Sequence, residues 1–323
     1  MMASDKKLCT LISSFQLPGE HKATGIAAAG SDKAWISVFH LPMVLLVDST
    51  GQVLQTGFAS DKLRKIKSKN GIPDTLQEAS RQSIWCKGLA VDNHSNCIVV
   101  VQERYDYSIK QISPSGAVST ITAGLQMPIE GVAFSPNSKG KGKILFGYMT
   151  VGFGLCSIDW PRGFLSRLFS SRAPVPFASE WLYPLTHGIA ADTHSDLICV
   201  SDLCNKLCIL NKDGRTVAEY TPEDKDKFFS EHVCFDHTGS IIVLNLVTSS
   251  VLRISPDGHL LQTILQEVKE DAQLCEECKK LKRGISPQCR ECKNSERILA
   301  ISVKEDIMWV SRVSGKIELY RLL

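Results

Sequence analysis

The sequence predicts an all-β fold: a single six-bladed β-propeller of four-stranded antiparallel blades. Three observations lead to this prediction. A short phrase recurs six times along the 323 residues, and further apolar runs separated by turn residues follow each copy. The last repeat lacks a fourth run, which the N-terminal segment can supply. Repeats of this length indicate a propeller or solenoid, because one repeat cannot bury its apolar face alone.

The recurring phrase joins glycine to small apolar residues, as in Gly25-Ile26-Ala27-Ala28. Copies start at residues 25, 88, 131, 188, 232 and 298, and in the last two another residue replaces the glycine. Two steps, of 43 and 44 residues, indicate the bare unit, and the longer steps predict inserted loops. A β-sandwich or two separate β domains is the alternative, but six graded repeats fit a ring better.

Turn chemistry supports four strands in each unit. The third apolar run ends in Asp, Asn or Pro followed by glycine, as in Asn211-Lys212-Asp213-Gly214. These residues supply the dihedral angles of tight hairpins. In the last unit the third strand, Lys316–Tyr320, runs almost to the chain end. We therefore expect the segment Leu8–Phe15 to close the ring by adding the missing strand, which hides two sheet edges.

Composition is typical of a soluble globular chain. The sequence is 43% hydrophobic and 22% charged, and its formal net charge of +3 is too small to predict nucleic-acid binding alone. The N-terminus lacks the apolar core of a signal peptide, and no stretch approaches the ~18 apolar residues of a membrane span. Most of the twelve cysteines lie in apolar runs or in CxxC pairs. We expect a cytoplasmic protein with reduced thiols that binds no membrane.

The most specific local motif is a pair of CxxC sequences within a predicted insertion, residues 266–297, between blades five and six of a single domain spanning 1–323. The four cysteines are Cys275, Cys278, Cys289 and Cys292. Four thiolates suit tetrahedral Zn²⁺, and a site without an open position is structural. The segment is poor in apolar residues, so metal would supply its stability. A flexible loop with free cysteines, or disulfides, is the alternative.

Basic residues cluster in three segments that we assign to connections from a fourth strand to the next blade. They are Lys62, Arg64, Lys65, Lys67, Lys69, Arg167, Arg172, Lys279, Lys280, Lys282 and Arg283. Connections of this type emerge on one face, so they predict a basic surface for single-stranded RNA or a protein partner. Nearby aromatic residues could stack on bases: Trp85, Phe164, Phe169, Phe177 and Trp181. Simple solvated lysines are the alternative, and acidic residues in the same loops dilute the charge.

The repeat resembles the NHL repeat. Its apolar strands with a closing Asp-Gly fit that pattern, and Ser201–Ile209 keeps the polar stretch that the family has between its second and third strands. The likeness covers nearly the whole chain but is specific only in blade four. It implies similarity to the propellers of tripartite-motif proteins, which bind RNA or protein and carry no catalytic residues. No RING or B-box precedes the first strand, so the resemblance implies no ligase activity.

An enzymatic propeller is the remaining alternative. Lactonase-like and amidating-lyase-like propellers hold a metal in the central channel. His187 and His232 begin inner strands, but the equivalent positions elsewhere hold Thr24, Lys87 and Glu130. Asp residues recur at the ends of inner strands (Asp92, Asp192 and Asp236), where capping of a turn explains them.

The sequence contains no phosphate-binding glycine loop, so we expect no nucleotide cofactor. We therefore predict a non-enzymatic interaction module, with a protein partner favoured over RNA.

Overall fold

The structure is a computed structural model. It describes residues 8–39, 41–59, 84–136, 142–148, 154–160, 175–177, 186–192, 194–202, 205–266 and 297–323. These residues form six sheets of four strands each, and neighbouring strands pair antiparallel. The predicted six-bladed propeller is confirmed. Among the described residues, no helix is long and apolar enough to cross a membrane.

Strands are numbered in chain order, and each blade contributes one strand at each distance from the axis. The innermost strands are β2 (Ala23–Ala28), β6 (Ile84–Val91), β10 (Ile129–Pro136), β14 (Thr186–Ala191), β18 (His232–Phe235) and β22 (Ile298–Lys304). The second strands are β3 (Lys33–Val38), β7 (Cys97–Glu103), β11 (Gly142–Tyr148), β15 (Ile198–Asp202), β19 (Ile241–Asn245) and β23 (Ile307–Arg312).

The outer half of each blade completes the sheets. The third strands are β4 (Met43–Asp48), β8 (Asp106–Ile112), β12 (Leu155–Trp160), β16 (Leu207–Leu210), β20 (Ser250–Ile254) and β24 (Lys316–Leu322). The fourth strands are β5 (Val53–Phe58), β9 (Val118–Leu125), β13 (Val175–Pro176), β17 (Thr216–Tyr220), β21 (Leu260–Gln266) and β1 (Cys9–Gln16). Short 3-10 helices at Pro18–Glu20 and Lys225–Lys227 precede two of the inner strands.

The ring is held together by apolar side chains between neighbouring blades. Each inner strand contacts the inner strand of the next blade, and β22 contacts β2, so the circle is complete. Trp35 and Trp309, both wholly buried, come from second strands of blades one and six. Burying such large side chains stabilises the fold by roughly 2–3 kcal/mol each. The core therefore lies between blades and leaves the axis open.

The N-terminal strand closes the sixth blade, as predicted. Strand β1 pairs antiparallel with β24, from Cys9 opposite Leu322 to Gln16 opposite Lys316. The following residue, Leu17, is 1% exposed and belongs to the core shared by blades six and one. This pairing removes the free edges of both terminal strands, as antiparallel architectures require.

Blade three departs from the sequence prediction. Its fourth strand, β13, is two residues long and pairs with β12, with Val175 opposite Ser157. Residues 161–174, which include Arg167 and Arg172, come between β12 and β13 in the sequence and lie outside the described residues. So short a strand, half of it proline, has no apolar run that a sequence pattern can detect.

Candidate binding site at the mouth of the central channel

The inner strands surround a cavity of about 1000 Å³ along the propeller axis. At one end, four polar side chains from consecutive blades line it: Lys87, Glu130, His187 and Glu231. We call this set the mouth. It lies where inner strands begin, on the face reached by connections between blades. The strands that flank residues 60–83, 178–185 and 267–296 end and begin on this face.

Glycines let the inner strands approach closely at the mouth. A Cβ on Gly131 would lie 2.4 Å from the backbone oxygen of His187, and one on Gly188 would lie 2.8 Å from that of Glu231. Each glycine thus faces a carbonyl in the next blade. That carbonyl belongs to the residue just before the position equivalent to the glycine, which is Gly188 in blade four and His232 in blade five. Glu231, and not His232, is therefore the counterpart of His187. The sequence comparison of His187 with His232 was wrong by one residue.

The first pair at the mouth joins blades two and three. The Nζ of Lys87 donates to the Oε1 of Glu130 at 2.7 Å, and the two side chains are 25% and 23% exposed. A charge-assisted bond of this length is among the stronger hydrogen bonds in proteins. The pair forms a closed, neutral bridge between two blades.

The second pair joins blades four and five, and it is looser. The Nδ1 of His187 lies 3.8 Å from the Oε1 of Glu231, beyond hydrogen-bond range. The segment before Glu231 is well fixed, because the hydroxyl of Ser201 donates to the oxygen of Ser230 at 2.8 Å. The amide of Asn245 also donates to the oxygen of Lys227. Glu231 is thus held in place by its backbone while its carboxylate stays open to the channel.

The electrostatics of the mouth centre on Glu231. Burial, and then the negative charge of Glu130, raise the pKa of the Glu231 carboxyl to about 7, while Lys87 opposes the rise. The side chain is 43% exposed, but it faces a channel and not open solvent. Burial lowers the pKa of His232 to about 4, so that imidazole stays neutral at physiological pH. Glu231 is the mouth residue whose charge is most easily altered by a ligand.

Apolar and aromatic groups complete the wall. Phe39 and Trp85 line the same cavity, and inner-strand residues such as Leu89 and Val132 line it further along the axis. The ring of Phe229 packs edge-on against His187 with centroids 5.5 Å apart. The cavity wall thus combines apolar side chains with a few convergent polar groups, as ligand sites do.

The far end of the channel, which we call the capped end, is formed by Asp92, Asp192 and Asp236. Each caps the turn after its own inner strand, and each is at most 6% exposed. Asp236 accepts from the backbone N–H groups of Thr238 and Ser240, at 2.8 and 3.0 Å, and pairs with Arg253 at 2.6 Å. Capping of turns, as expected from the sequence, is confirmed.

The donor set at the mouth fits a resident metal poorly. Among the described residues, no group of three or more His, Cys, Asp or Glu side chains is arranged to hold a metal ion. Glu130 is already bonded to Lys87, whose ammonium would repel a cation placed between them.

Most residues that the sequence singled out lie outside the described part of the chain. The zinc-site cysteines, Cys275, Cys278, Cys289 and Cys292, are in this group. So are the basic residues Lys62, Arg64, Lys65, Lys67, Lys69, Arg167, Arg172, Lys279, Lys280, Lys282 and Arg283. Of the aromatic residues, Trp85 lines the cavity, and Phe177 follows β13 and packs against the core between blades.

Sequence reasoning missed Glu231. The signal was present, since it directly precedes the fifth copy of the phrase, at the position that Lys87, Glu130 and His187 hold in other blades. The pairing between these positions was not visible, because each partner comes from a different blade.

Solved structures with a similar fold include a lyase, a gluconolactonase and a WD40 propeller domain. A virginiamycin B lyase from Staphylococcus aureus is 13% identical with a TM-score of 0.58, covering 98% of this chain and 100% of that one. A gluconolactonase from Xanthomonas campestris is 13% identical with a TM-score of 0.58, covering 99% and 96%. The WD40 propeller domain of Doa1 is 8% identical with a TM-score of 0.53, covering 97% and 96%.

At these identities the likeness shows the fold alone. No family model and no curated protein matches the sequence. These three structural neighbours are not tripartite-motif propellers, and they favour neither an enzyme nor a binding module.

Proposed function

We propose that this propeller is a non-enzymatic interaction module that binds a protein partner at the mouth of its central channel. One observation carries the proposal: four polar side chains from four consecutive blades converge where a cavity of about 1000 Å³ meets the face reached by the connections between blades. Clefts of this size with a few fixed polar groups are the usual form of a binding site.

The charge of the mouth favours a protein over RNA. Its two carboxylates, Glu130 and Glu231, outnumber the one ammonium, Lys87, and that ammonium is already paired. A phosphate backbone needs unpaired positive charge along its path. The basic segments at 62–69 and 279–283 leave RNA as a second candidate, since the strands flanking both segments end on this face.

The proposal is tested by partner capture with matched variants. Lys87→Ala/Glu130→Ala removes the mouth pair, and Lys206→Ala/Glu219→Ala removes a comparable 2.8 Å pair on blade four. We expect the mouth variant to lose proteins that the wild type retains, and the blade-four variant to keep them. Equal retention by both variants would contradict the proposal. Removing both members of a pair leaves no uncompensated charge, so both proteins should fold.

The RNA candidate is tested separately by filter binding to single-stranded RNA pools at several salt concentrations. Phosphate contacts would appear as affinity that falls steeply with salt. RNA would be favoured if the protein retains RNA on the filter near physiological salt and loses it when the lysines at 62–69 are replaced by glutamine. No retention at that salt would remove this candidate.

A propeller enzyme is the other candidate, and one observation favours it. A carboxyl with its pKa raised to about 7, 3.8 Å from a histidine, has the properties of a general acid or base. Lyase and lactonase propellers of similar fold add to the motivation. A screen of lactone hydrolysis and peptidylglycine cleavage tests it, and turnover abolished by Glu231→Gln would replace our proposal.

Two finer features remain proposals. The repeat pattern supports an NHL-type propeller, and the paired CxxC motifs at Cys275, Cys278, Cys289 and Cys292 support one structural Zn²⁺. Metal analysis of protein purified without chelators should give about one zinc per chain, and a Cys275→Ser/Cys278→Ser variant should lose it. Less than about half an equivalent in the wild type would contradict the zinc proposal.

A further inference from the structure

Glu231 is the mouth residue left without a matching partner. Within the part of the chain that the structure describes, its carboxylate accepts no hydrogen bond, and the nearest ionisable nitrogen is the Nδ1 of His187 at 3.8 Å. The backbone around it is fixed by Ser201 and Asn245, so the open carboxylate is not a result of a loose loop. A preorganised acceptor that faces a cavity is the half of an ion pair that a ligand can complete.

From this geometry we propose, resting on the proposed function, that the mouth accepts a basic side chain, Lys or Arg, of the protein partner, with Glu231 as its counter-ion. Lys87 and Glu130 neutralise each other at 2.7 Å, so Glu231 decides the sign of the site. An anionic group would meet the repulsion of the Glu231 carboxylate. A guanidinium or alkylammonium would instead satisfy the open one.

The rest of the cavity suits such a side chain. Phe39 and Trp85 line the same space, and aromatic faces attract alkylammonium and guanidinium groups. The apolar wall at Leu89 would pack against the aliphatic part of a lysine or arginine. The cavity, at about 1000 Å³, is large enough for the side chain and neighbouring peptide groups.

Proton linkage predicts that the affinity for a cation depends on pH. Burial and Glu130 raise the pKa of Glu231 to about 7, so a bound cation must displace a proton below that pH. Affinity should fall about tenfold between pH 8 and pH 6, because the ionised fraction of Glu231 falls by that factor. Among the described residues, the other titratable groups at the mouth are Lys87, Glu130, His187 and His232.

The test is an NMR titration of the Glu231 side-chain carboxyl in the full chain. The probes are methylguanidinium and n-butylammonium, with N-methylurea as the neutral control, and a blocked Ala-Ala-Arg-Ala-Ala peptide compared with its citrulline analogue. We expect the cations and the arginine peptide to shift the resonance and to lower the pKa of Glu231. The neutral analogues should not. Glu231→Gln should weaken binding about tenfold or more, and Glu219→Gln, on blade four, should leave it unchanged.

Three results would overturn the inference: cations that leave Glu231 unshifted, affinity in the wild type that is equal at pH 6 and pH 8, or Glu231→Gln binding as tightly as the wild type. Small cations that bind while the arginine peptide does not would overturn the assignment to a protein side chain. A shift of the Glu231 resonance with inorganic phosphate, and none with the cations, would also contradict it. Even then, loss of the captured protein partner in Lys87→Ala/Glu130→Ala would still support the proposed function. Unchanged partner retention in that variant would instead refute the function itself.

Discussion

The two ends of the central channel use acidic residues in opposite ways. At the capped end, Asp92, Asp192 and Asp236 recur at one repeat position, and each accepts bonds from the turn that follows its own strand. At the mouth, the equivalent positions hold different residues, and the pairs form between blades. A residue that repeats serves each blade, whereas a position that varies is available for a specific ligand.

The difference also appears in how well each carboxylate is satisfied. Asp236 has two backbone donors and Arg253 within 3.0 Å. Glu231 has His187 at 3.8 Å. An uncompensated carboxylate in a channel costs stability, as many binding and catalytic groups do. The comparison predicts that the capped end is needed for folding and the mouth for binding.

The largest expected effect is at the capped end. Asp236→Ala should lower the free energy of unfolding by about 3 kcal/mol, because it leaves the largely buried Arg253 without a counter-ion and removes the turn bonds. Chemical denaturation measures it. Asp257→Ala, in an exposed turn, should change stability by less than about 0.5 kcal/mol. Partner retention by folded Asp236→Ala should stay normal, and its loss would break the division between the two ends.

A glycine at the mouth gives the next effect. Gly131→Ala should cost about 1–3 kcal/mol, because the new Cβ would lie 2.4 Å from the backbone oxygen of His187 and the strands must separate. Thermal and urea unfolding test this. Gly30→Ala is the control, since its Cβ would meet the flexible side chain of Asp32 at 3.3 Å. Equal stability of the two variants would contradict the close strand approach.

The sequence specified the fold well because its signals are local. The phrase at 25, 88, 131 and 188 starts with the glycine that neighbouring strands require, and the turn glycines Gly51, Gly116, Gly214 and Gly258 have φ between 82° and 89°. Strand β13 was missed because two residues carry no periodicity. The ring order and the closing strand followed from counting strands.

The site was predicted less well, for a physical reason. Lys87, Glu130 and His187 were compared as separate positions, and their meaning depends on partners in the next blade. Glu231 gained its significance from burial and from the charge of Glu130, two blades away, and neither is a property of its neighbours in sequence. The basic segments, Arg167 and Arg172 among them, lie outside the described residues and stay a prediction.

Replacing Glu231 should produce a smaller, pH-dependent gain in stability. Its pKa is raised to about 7 in the folded state from 4.5, so the folded state binds the proton more tightly and ionisation destabilises it as pH rises through this interval. Glu231→Gln should therefore be more stable than the wild type at pH 8 by about 1 kcal/mol, a value reduced for solvent in the channel.

That difference should disappear below about pH 4.5, where the wild-type carboxyl is protonated in both states. Urea denaturation across this pH range measures it. Glu219→Gln, on blade four, should show no comparable increase toward pH 8. A difference that stays constant from pH 4 to pH 8 would show that Glu231 is not strained.

The smallest expected effects are those of Lys87 and Glu130 on the pKa of Glu231. Lys87→Ala should raise the pKa of the Glu231 carboxyl further, because it removes a positive charge. Glu130→Ala should lower the same pKa, because it removes a negative charge. The ion pair of Lys87 with Glu130 should contribute about 1 kcal/mol or less to the free energy of unfolding in a double-mutant cycle, because both side chains are partly exposed. Carboxyl NMR of each variant checks the signs, and shifts in the same direction would refute the charge assignment.

We propose that the carboxylate of Glu231, at the mouth, pairs with a cationic side chain of the protein partner. This proposal is tested most directly by a ¹³C NMR pH titration of the Glu231 carboxyl in the ligand-free protein, with the resonance assigned by its disappearance in Glu231→Gln. The account predicts a midpoint of about 7, as burial and Glu130 require. A midpoint at the ordinary glutamate value of 4.5 would contradict it.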